Sequence, residues 1–339
     1  MGKKRKNKKK EWHVNRSKKI QIKWYGSKKR IRSYFRLNTE EKIQYNSRHQ
    51  FLATTPECFS FIENADETIE YFNKIVYMIE QKNFRQEFYI DSSKVTYVST
   101  EALIYMIAVI YNIKANRALQ YSFTGNLPLN KTAKEVFEQS GYLNYFKIKR
   151  LQMPTSTQHI QIVSGKNVET DTAKNICDFV MEKLNVTKSD TKILYATLIE
   201  LMSNTAKHAY QNEKQKMAAC WYLYAVAENN IVTFSFVDTG EGIPSTIKKK
   251  IMERINPAIK DSRLIEISLT EEGRSETGLP NRGRGLPNLF ENVKKKKLKK
   301  FFVLSGNGSC IYNTEEERLL LSNYNQKLYG TIFRFSIEK

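Results

Sequence analysis

Cysteines and long apolar runs are scarce in this chain, and acidic residues are nearly missing from its first fifty positions. Its 339 residues include four cysteines (Cys58, Cys177, Cys220 and Cys310), far apart, with no CxxC pair and no histidine at metal-ligand spacing. So few cysteines in so long a chain exclude a disulfide scaffold, and their spacing excludes a zinc site. The longest apolar run, Ala102 to Tyr111, is about half of what a bilayer crossing needs. The basic amino terminus is not followed by an apolar segment, so it does not read as a secretory signal. A soluble, cytoplasmic protein with no membrane partner is expected.

What is abundant is positive charge: 56 Lys+Arg against 35 Asp+Glu, a net of +21. The first fifty residues hold 18 of the basic residues and only Glu11, Glu40 and Glu41 as acids, a net of +15. The remaining 289 residues are near balance, so the basic character belongs to an arm and not to the whole molecule. With 40% hydrophobic residues there is material for ordinary cores, and the length suggests about two domains.

Three segments follow. Residues 1–50 read as a basic, largely disordered arm, since MGKKRKNKKK repels itself and has nothing to bury. Beyond it, Trp12, Trp24, Tyr25, Tyr34 and Phe35 are interleaved with charge, a pattern that suits stacking on bases while lysine and arginine neutralise phosphates. Residues 1–36 are therefore a candidate nucleic-acid contact, with a solubilising arm as the plainer alternative.

Residues 51–150 alternate strand and helix. CFSFI, EFYID and ALQYSF read as strands. Thr68 to Gln81 reads as a helix with Ile69, Phe72, Ile75, Val76 and Ile79 on one face. Thr100 to Ala115 is apolar all round and so is a buried helix. Asn130 to Gln139 is a helix closed by Gly141. This order, with a Ser-Thr turn leading into a helix, resembles the STAS domain of anti-sigma-factor antagonists. By that resemblance the Ser99-Thr100-Glu101-Ala102 turn matches the family's phosphorylated turn, which makes Thr100, with Ser99 beside it, the candidate phosphoacceptor. The plainer reading of both is a helix N-cap.

The third segment, 158–339, opens with a strand at His159 to Val163 and carries the chemistry. In KILYATLIELMSNTAKHAY, Leu194, Leu198, Leu201, Met202, Thr205 and Ala209 share one side of a helix. Glu200, Asn204 and Lys207 fall within roughly 60° of each other on another side. A carboxylate can orient and deprotonate a nucleophile, an amide oxygen can complete a magnesium shell, and an ammonium can neutralise phosphate. Two strands, Ala218 to Ala227 and Asn230 to Val237, then run into Asp238-Thr239-Gly240-Glu241-Gly242. A strand-end carboxylate beside two alternating glycines can accept an exocyclic amine, although a plain Asx turn explains Asp238 and one glycine. A charged segment, Ser245 to Arg282, ends at Asn281-Arg282-Gly283-Arg284-Gly285, whose glycines open a helix and can present N–H groups to phosphates. Gly330-Thr331 reads as the opening of the last strand. The run Lys294 to Lys300 reads as a solvated helix end.

An ExxxN helix, a DxGxG after a strand, a lid ending in GxG and a late GT strand, in this order, resemble the GHKL ATPase superfamily. Glu200 to Tyr210 looks most like the anti-sigma-factor serine kinases. The resemblance implies a Bergerat fold, an α/β sandwich with a mixed sheet layered with helices, which binds Mg·ATP under a mobile lid. It makes Glu200 the general base and Asn204 the magnesium ligand. Lys207, Gly283 and Gly285 become phosphate contacts, Asp238 the reader of adenine with Gly240 and Gly242 shaping its loop, and Thr331 a support of that contact. The second glycine box departs from the fuller family form at Pro287-Asn288, and no phosphoacceptor-histidine helix precedes the domain. The expected protein is an ATP-hydrolysing or phosphotransferring switch regulated by its STAS-like half and acting on a Ser/Thr of a partner or of its own STAS-like domain, and it is expected to be a homo-oligomer. The alternatives are an ATP-gated dimerisation clamp and a nucleic-acid-binding regulator.

Overall fold

A computed structural model describes residues 44–81, 85–115, 120–146, 158–209, 220–251, 259–270 and 285–339. The arm over 1–43, and with it the candidate nucleic-acid contact, lies outside the described residues. The protein is α/β, with one parallel and one antiparallel principal sheet.

In the first half, β1 (Phe51–Thr54), β3 (Arg85–Asp91) and β5 (Gln120–Gly125) form a parallel sheet in the order β1-β3-β5. Phe51 sits opposite Phe88, and Phe88 opposite Phe123, with ring centroids 5.3 and 4.8 Å apart, so the register is held by a row of aromatics. Two further short strands, β2 (Cys58–Phe59) and β4 (Tyr97–Val98), pair in parallel. The expected strand CFSFI is cut to two residues because the Ser60 hydroxyl accepts the N–H groups of Ile62 and Glu63 and turns the chain. Helix α1 (Ala65–Gln81) buries Ile69, Phe72, Ile75 and Met78. Helix α3 (Lys131–Gln139) is capped by the Asn130 side chain, which accepts from Ala133 N, and ends at Ser140 followed by Gly141 at φ +79°. Helix α2 (Thr100–Ala115) is buried on every side from Ala102 to Ala108.

The second half contains β6 (His159–Gly165), α4 (Thr170–Leu184), α5 (Lys192–Ala209), β7 (Trp221–Glu228), β8 (Ile231–Asp238), α6 (Ile243–Ile251), α7 (Asp261–Leu269), α8 (Gly285–Lys294), β9 (Lys299–Asn313) and β10 (Arg318–Glu338). Its sheet runs β6-β7-β8-β10-β9 and is antiparallel at each of its four junctions, which corrects the expectation of a mixed sheet in this half. The reason is connectivity: one crossover helix returns a strand parallel, whereas the pair α4–α5 brings β7 back antiparallel, and β7–β8 and β9–β10 are hairpins. Asn229 and Asn230, at φ 51° and 60°, make the tight turn of the first hairpin. A second correction concerns Gly330-Thr331. They lie in the middle of a 21-residue strand that opens at Arg318, at a point where the pairing with β9 slips register. After α8, Leu298 is buried while Lys295 to Lys297 are exposed, as expected of a solvated helix end.

One face of this sheet packs on α4, α5, α7 and α8 through Leu194, Leu198, Leu201, Phe234, Phe236, Ile265, Phe290 and Phe333. The other face, with Tyr222, Tyr224, Val237, Leu304 and Ile332, belongs to the same continuous core as the first half. Helix α2 is apolar all round because it is covered on both sides, by the parallel sheet and by the antiparallel one. Among the described residues no helix is long and apolar enough to cross a membrane.

Candidate functional site

At one level of the antiparallel sheet, five residues stand in register across all five strands: Gly165, Trp221, Asp238, Thr331 and Ser305. A side chain at Gly165 would meet the Trp221 ring at 2.4 Å, so the indole takes the space beside that glycine, and its N–H donates to Asn167 O at 2.7 Å. Strand alternation puts Asp238 on the side of Phe234 and Phe236, and Thr331 on the side of Phe333 and Phe335. Both therefore face the helix layer that includes α5.

Asp238 Oδ1 accepts Gly240 N–H at 2.8 Å, so the Asx turn is present, and the Thr331 hydroxyl donates to the same carboxylate. Desolvation pushes the Asp238 carboxyl up to about 6 even against these two donors. Gly242 serves another purpose. It sits at φ +83°, and a Cβ there would lie 2.8 Å from Ser305 Oγ and 3.1 Å from Gly330 O. Ser305, fully buried on β9, accepts Ile243 N–H at 2.9 Å, donates to Gly330 O at 2.9 Å and lies 3.1 Å from Thr331 Oγ1. One hydroxyl thus ties the loop after Asp238 to the Gly330-Thr331 corner.

On α5, Glu200 and Asn204 are half-buried, on the flank away from Leu194, Leu198 and Leu201. The carboxylate of Glu200 lies against the first residue of α8: a Cβ at Gly285 would sit 1.7 Å from Glu200 Oε1. A helix amino terminus presents free N–H groups and the positive end of the helix dipole. Glu200 on α5 and Gly285 at the start of α8, 85 residues apart in sequence, are thus brought into contact. Gly283, Arg282 and Arg284 lie outside the described residues, as do the side chains of Lys207 and His208.

The two candidate acceptors lie elsewhere. Ser99 is buried, and Thr100 Oγ1 lies 2.6 Å from Ser235 Oγ on the opposite face of the antiparallel sheet from Asp238.

Sequence reasoning missed Ser305, Trp221, Gly165 and an ion pair below the loop. In that pair Asp261, buried at the start of α7, accepts from Lys248 Nζ at 2.7 Å and from Asn307 N at 3.2 Å. A signal was present for part of this: Ser305-Gly306-Asn307-Gly308-Ser309 interrupts a β-branched and aromatic strand with small residues. Gly306 and Gly308 let α7 approach closely, since Cβ atoms there would meet Asp261 Oδ2 at 2.4 Å and Ser262 N at 2.2 Å.

No protein-family model matches the chain, and no curated protein matches it. The chemistry of the site therefore rests on its geometry. It offers a desolvated carboxylate with a hydroxyl beside it at the end of a central strand. On the same side of the sheet lie a second carboxylate at a helix amino terminus and an amide one helical turn further on.

Proposed function

We propose that this chain is a Mg·ATP-binding switch of the GHKL type, with a Bergerat-like second half that hydrolyses ATP or passes its γ-phosphate to a Ser/Thr of a partner protein, under the influence of its STAS-like first half. The observation that carries this reading is the registered pair Asp238 and Thr331, bonded to each other and fastened through Ser305 to the Gly240–Gly242 loop. A carboxylate held this way can accept the exocyclic amine of adenine, with Thr331 supporting it. The contact of Gly285 with Glu200 adds support, because it joins the phosphate-binding glycine motif to the carboxylate that would orient the attacking water or hydroxyl.

In this reading Asn204 would hold a magnesium ion, whose chemistry is to neutralise charge on the phosphates. Lys207, Gly283 and Gly285 would face the phosphates. Glu200 would take the proton of the nucleophile. Ser99 and Thr100 are not carried forward as acceptors, because the sheet separates them from Asp238.

The test is incubation of the purified full chain with γ-labelled ATP and magnesium, separating protein-bound label from free phosphate, with Glu200→Ala alongside. Turnover in the wild type and its loss in Glu200→Ala are expected. A wild type that binds no nucleotide at millimolar ATP would overturn the proposal.

A further inference from the structure

Tyr105 lies in the middle of α2, 3% exposed, with its ring edge-on to Phe61 and Phe72 at centroid distances of 5.3 and 4.7 Å. Its hydroxyl crosses to β10, where it donates to Tyr329 O at 2.8 Å and accepts from Tyr329 N at 3.2 Å. Burial pushes the phenol far above its ordinary range, so it stays protonated and remains a donor at every working pH. A single side chain therefore engages both backbone groups of one residue.

The place of that residue matters. The β9–β10 register jumps from Leu328–Gly306 to Thr331–Ser305, so Tyr329 and Gly330 form the irregular step between them. Gly330 is at φ +90°, and a Cβ there would lie 2.0 Å from Asp238 O. The next residue is Thr331, whose hydroxyl meets the Asp238 carboxylate. The conformation of this step sets where Thr331 stands against Asp238, and from the first half of the chain Tyr105 bonds the backbone of the step itself.

We infer that Tyr105 is a positioning residue for the adenine end of the proposed nucleotide pocket, so that the docking of α2 on the sheet sets nucleotide affinity. This rests on the nucleotide reading of Asp238 and Thr331. Because binding coupling is reciprocal, nucleotide in turn tightens the hold of α2 on the sheet.

The test uses the full chain with Tyr105→Phe, which removes one oxygen, and Tyr142→Phe as the matched control. Tyr142 is also a buried tyrosine of this core, and its hydroxyl donates to Met106 Sδ on α2 at 2.9 Å. Mg·ATP affinity, melting temperature and amide exchange at Tyr329 to Thr331 are measured for each. Tyr105→Phe is expected to weaken Mg·ATP binding about tenfold, the scale of one hydrogen bond, and to speed exchange at Tyr329. Tyr142→Phe is expected to lower the melting temperature and leave affinity unchanged. In the wild type, Mg·ATP is expected to slow exchange at Tyr329, a measurement that needs no variant. Equal affinity of Tyr105→Phe and wild type, an equal loss in Tyr142→Phe, or wild-type exchange at Tyr329 indifferent to bound Mg·ATP would overturn the inference while leaving the nucleotide site standing. A wild type that binds no Mg·ATP would overturn both.

Discussion

Thr100 Oγ1 and Ser235 Oγ lie 2.6 Å apart and join the first turn of α2 to the central strand β8. Beside them, Arg334, the register partner of Ser235, brings its guanidinium to 4.0 Å from the buried carboxylate of Glu101. The sheet face here is apolar at Tyr222, Val237, Ile332 and Leu304, and it turns polar one level along, at Ser235 and Arg334. The start of α2 matches that change with a hydroxyl and a carboxylate. Two halves that look like separate domains are therefore closed against each other by apolar packing with a polar end. A phosphate donor on the Asp238 face has a sheet between it and Thr100.

That arrangement predicts where label will not appear. With γ-labelled ATP, neither Ser99 nor Thr100 acquires phosphate, and Thr100→Val leaves any labelling elsewhere unchanged. The same substitution strands the Ser235 hydroxyl and costs about 1 kcal/mol, read as a drop of a few degrees in melting temperature. Label mapped to Thr100 by mass spectrometry would mean that α2 leaves the sheet during turnover.

The desolvated carboxylate of Asp238 makes a prediction about pH. Its folded value, about 6, lies above its ordinary 3.8, so the folded state holds this proton more tightly than the unfolded state does. The group is then a penalty to stability above pH 6 that is relieved as pH falls from 6 towards 4. Asp238→Asn removes the penalty, so at pH 7.5 the variant melts higher than the wild type, by the equivalent of up to about 3 kcal/mol. The gap closes as both are titrated towards pH 4. In parallel the variant loses Mg·ATP binding, because the amide presents its NH2, a donor, to adenine's amine, which is itself a donor, where the carboxylate had accepted. Melting curves at pH 7.5 and 4.5 and a nucleotide titration check both halves of the statement.

The parts of the site that could be read from the sequence are those encoded within a few residues. Asp238-Thr239-Gly240 writes its own Asx turn, Glu200 and Asn204 share a helical face by spacing alone, and the apolar circumference of Thr100–Ala115 announces burial on all sides. What could not be read is pairing between distant segments. Nothing local says that α2 is covered by β8 and β10 as well as by its own parallel sheet, because both coverings ask for the same leucines and isoleucines. Gly330-Thr331 looks like a strand opening because glycine ordinarily ends a strand. Here it is a register slip inside one, enforced by the approach of Gly330 to Asp238. Ser305 is invisible for the same reason, since its importance comes from Ile243 and Thr331, 62 and 26 residues away.

Ser305→Ala tests that hidden hydroxyl. It removes the acceptor of Ile243 N–H, the donor to Gly330 O and the neighbour of Thr331, all in a fully buried place. A loss of about 2 kcal/mol in stability is expected from the unsatisfied N–H and carbonyl. Mg·ATP affinity should fall further than in Ser309→Ala, whose hydroxyl meets Tyr324 away from the row. Isothermal titration of the two variants side by side decides whether the Gly240–Gly242 loop depends on Ser305. Equal affinities would show that the loop holds its shape without it.

Gly285 and Glu200 support a double-mutant cycle. Gly285 has no positive φ, so its backbone accepts alanine, and alanine at a helical position is favoured over glycine by up to about 1 kcal/mol. Against this, the new methyl would stand 1.7 Å from Glu200 Oε1 and 1.8 Å from its carboxyl carbon. The flexible carboxylate must swing away from the amino terminus of α8. Gly285→Ala is therefore expected to fold, to melt within a few degrees of the wild type, and to lose nearly all ATP turnover, as Glu200→Ala does. In the Glu200→Ala background the obstruction is gone, and Gly285→Ala should become stabilising by several tenths of a kcal/mol. A stability change for Gly285→Ala that is the same in both backgrounds would mean that the two residues are not in contact, and would separate the ExxxN helix from the glycine motif that this reading of the site joins to it.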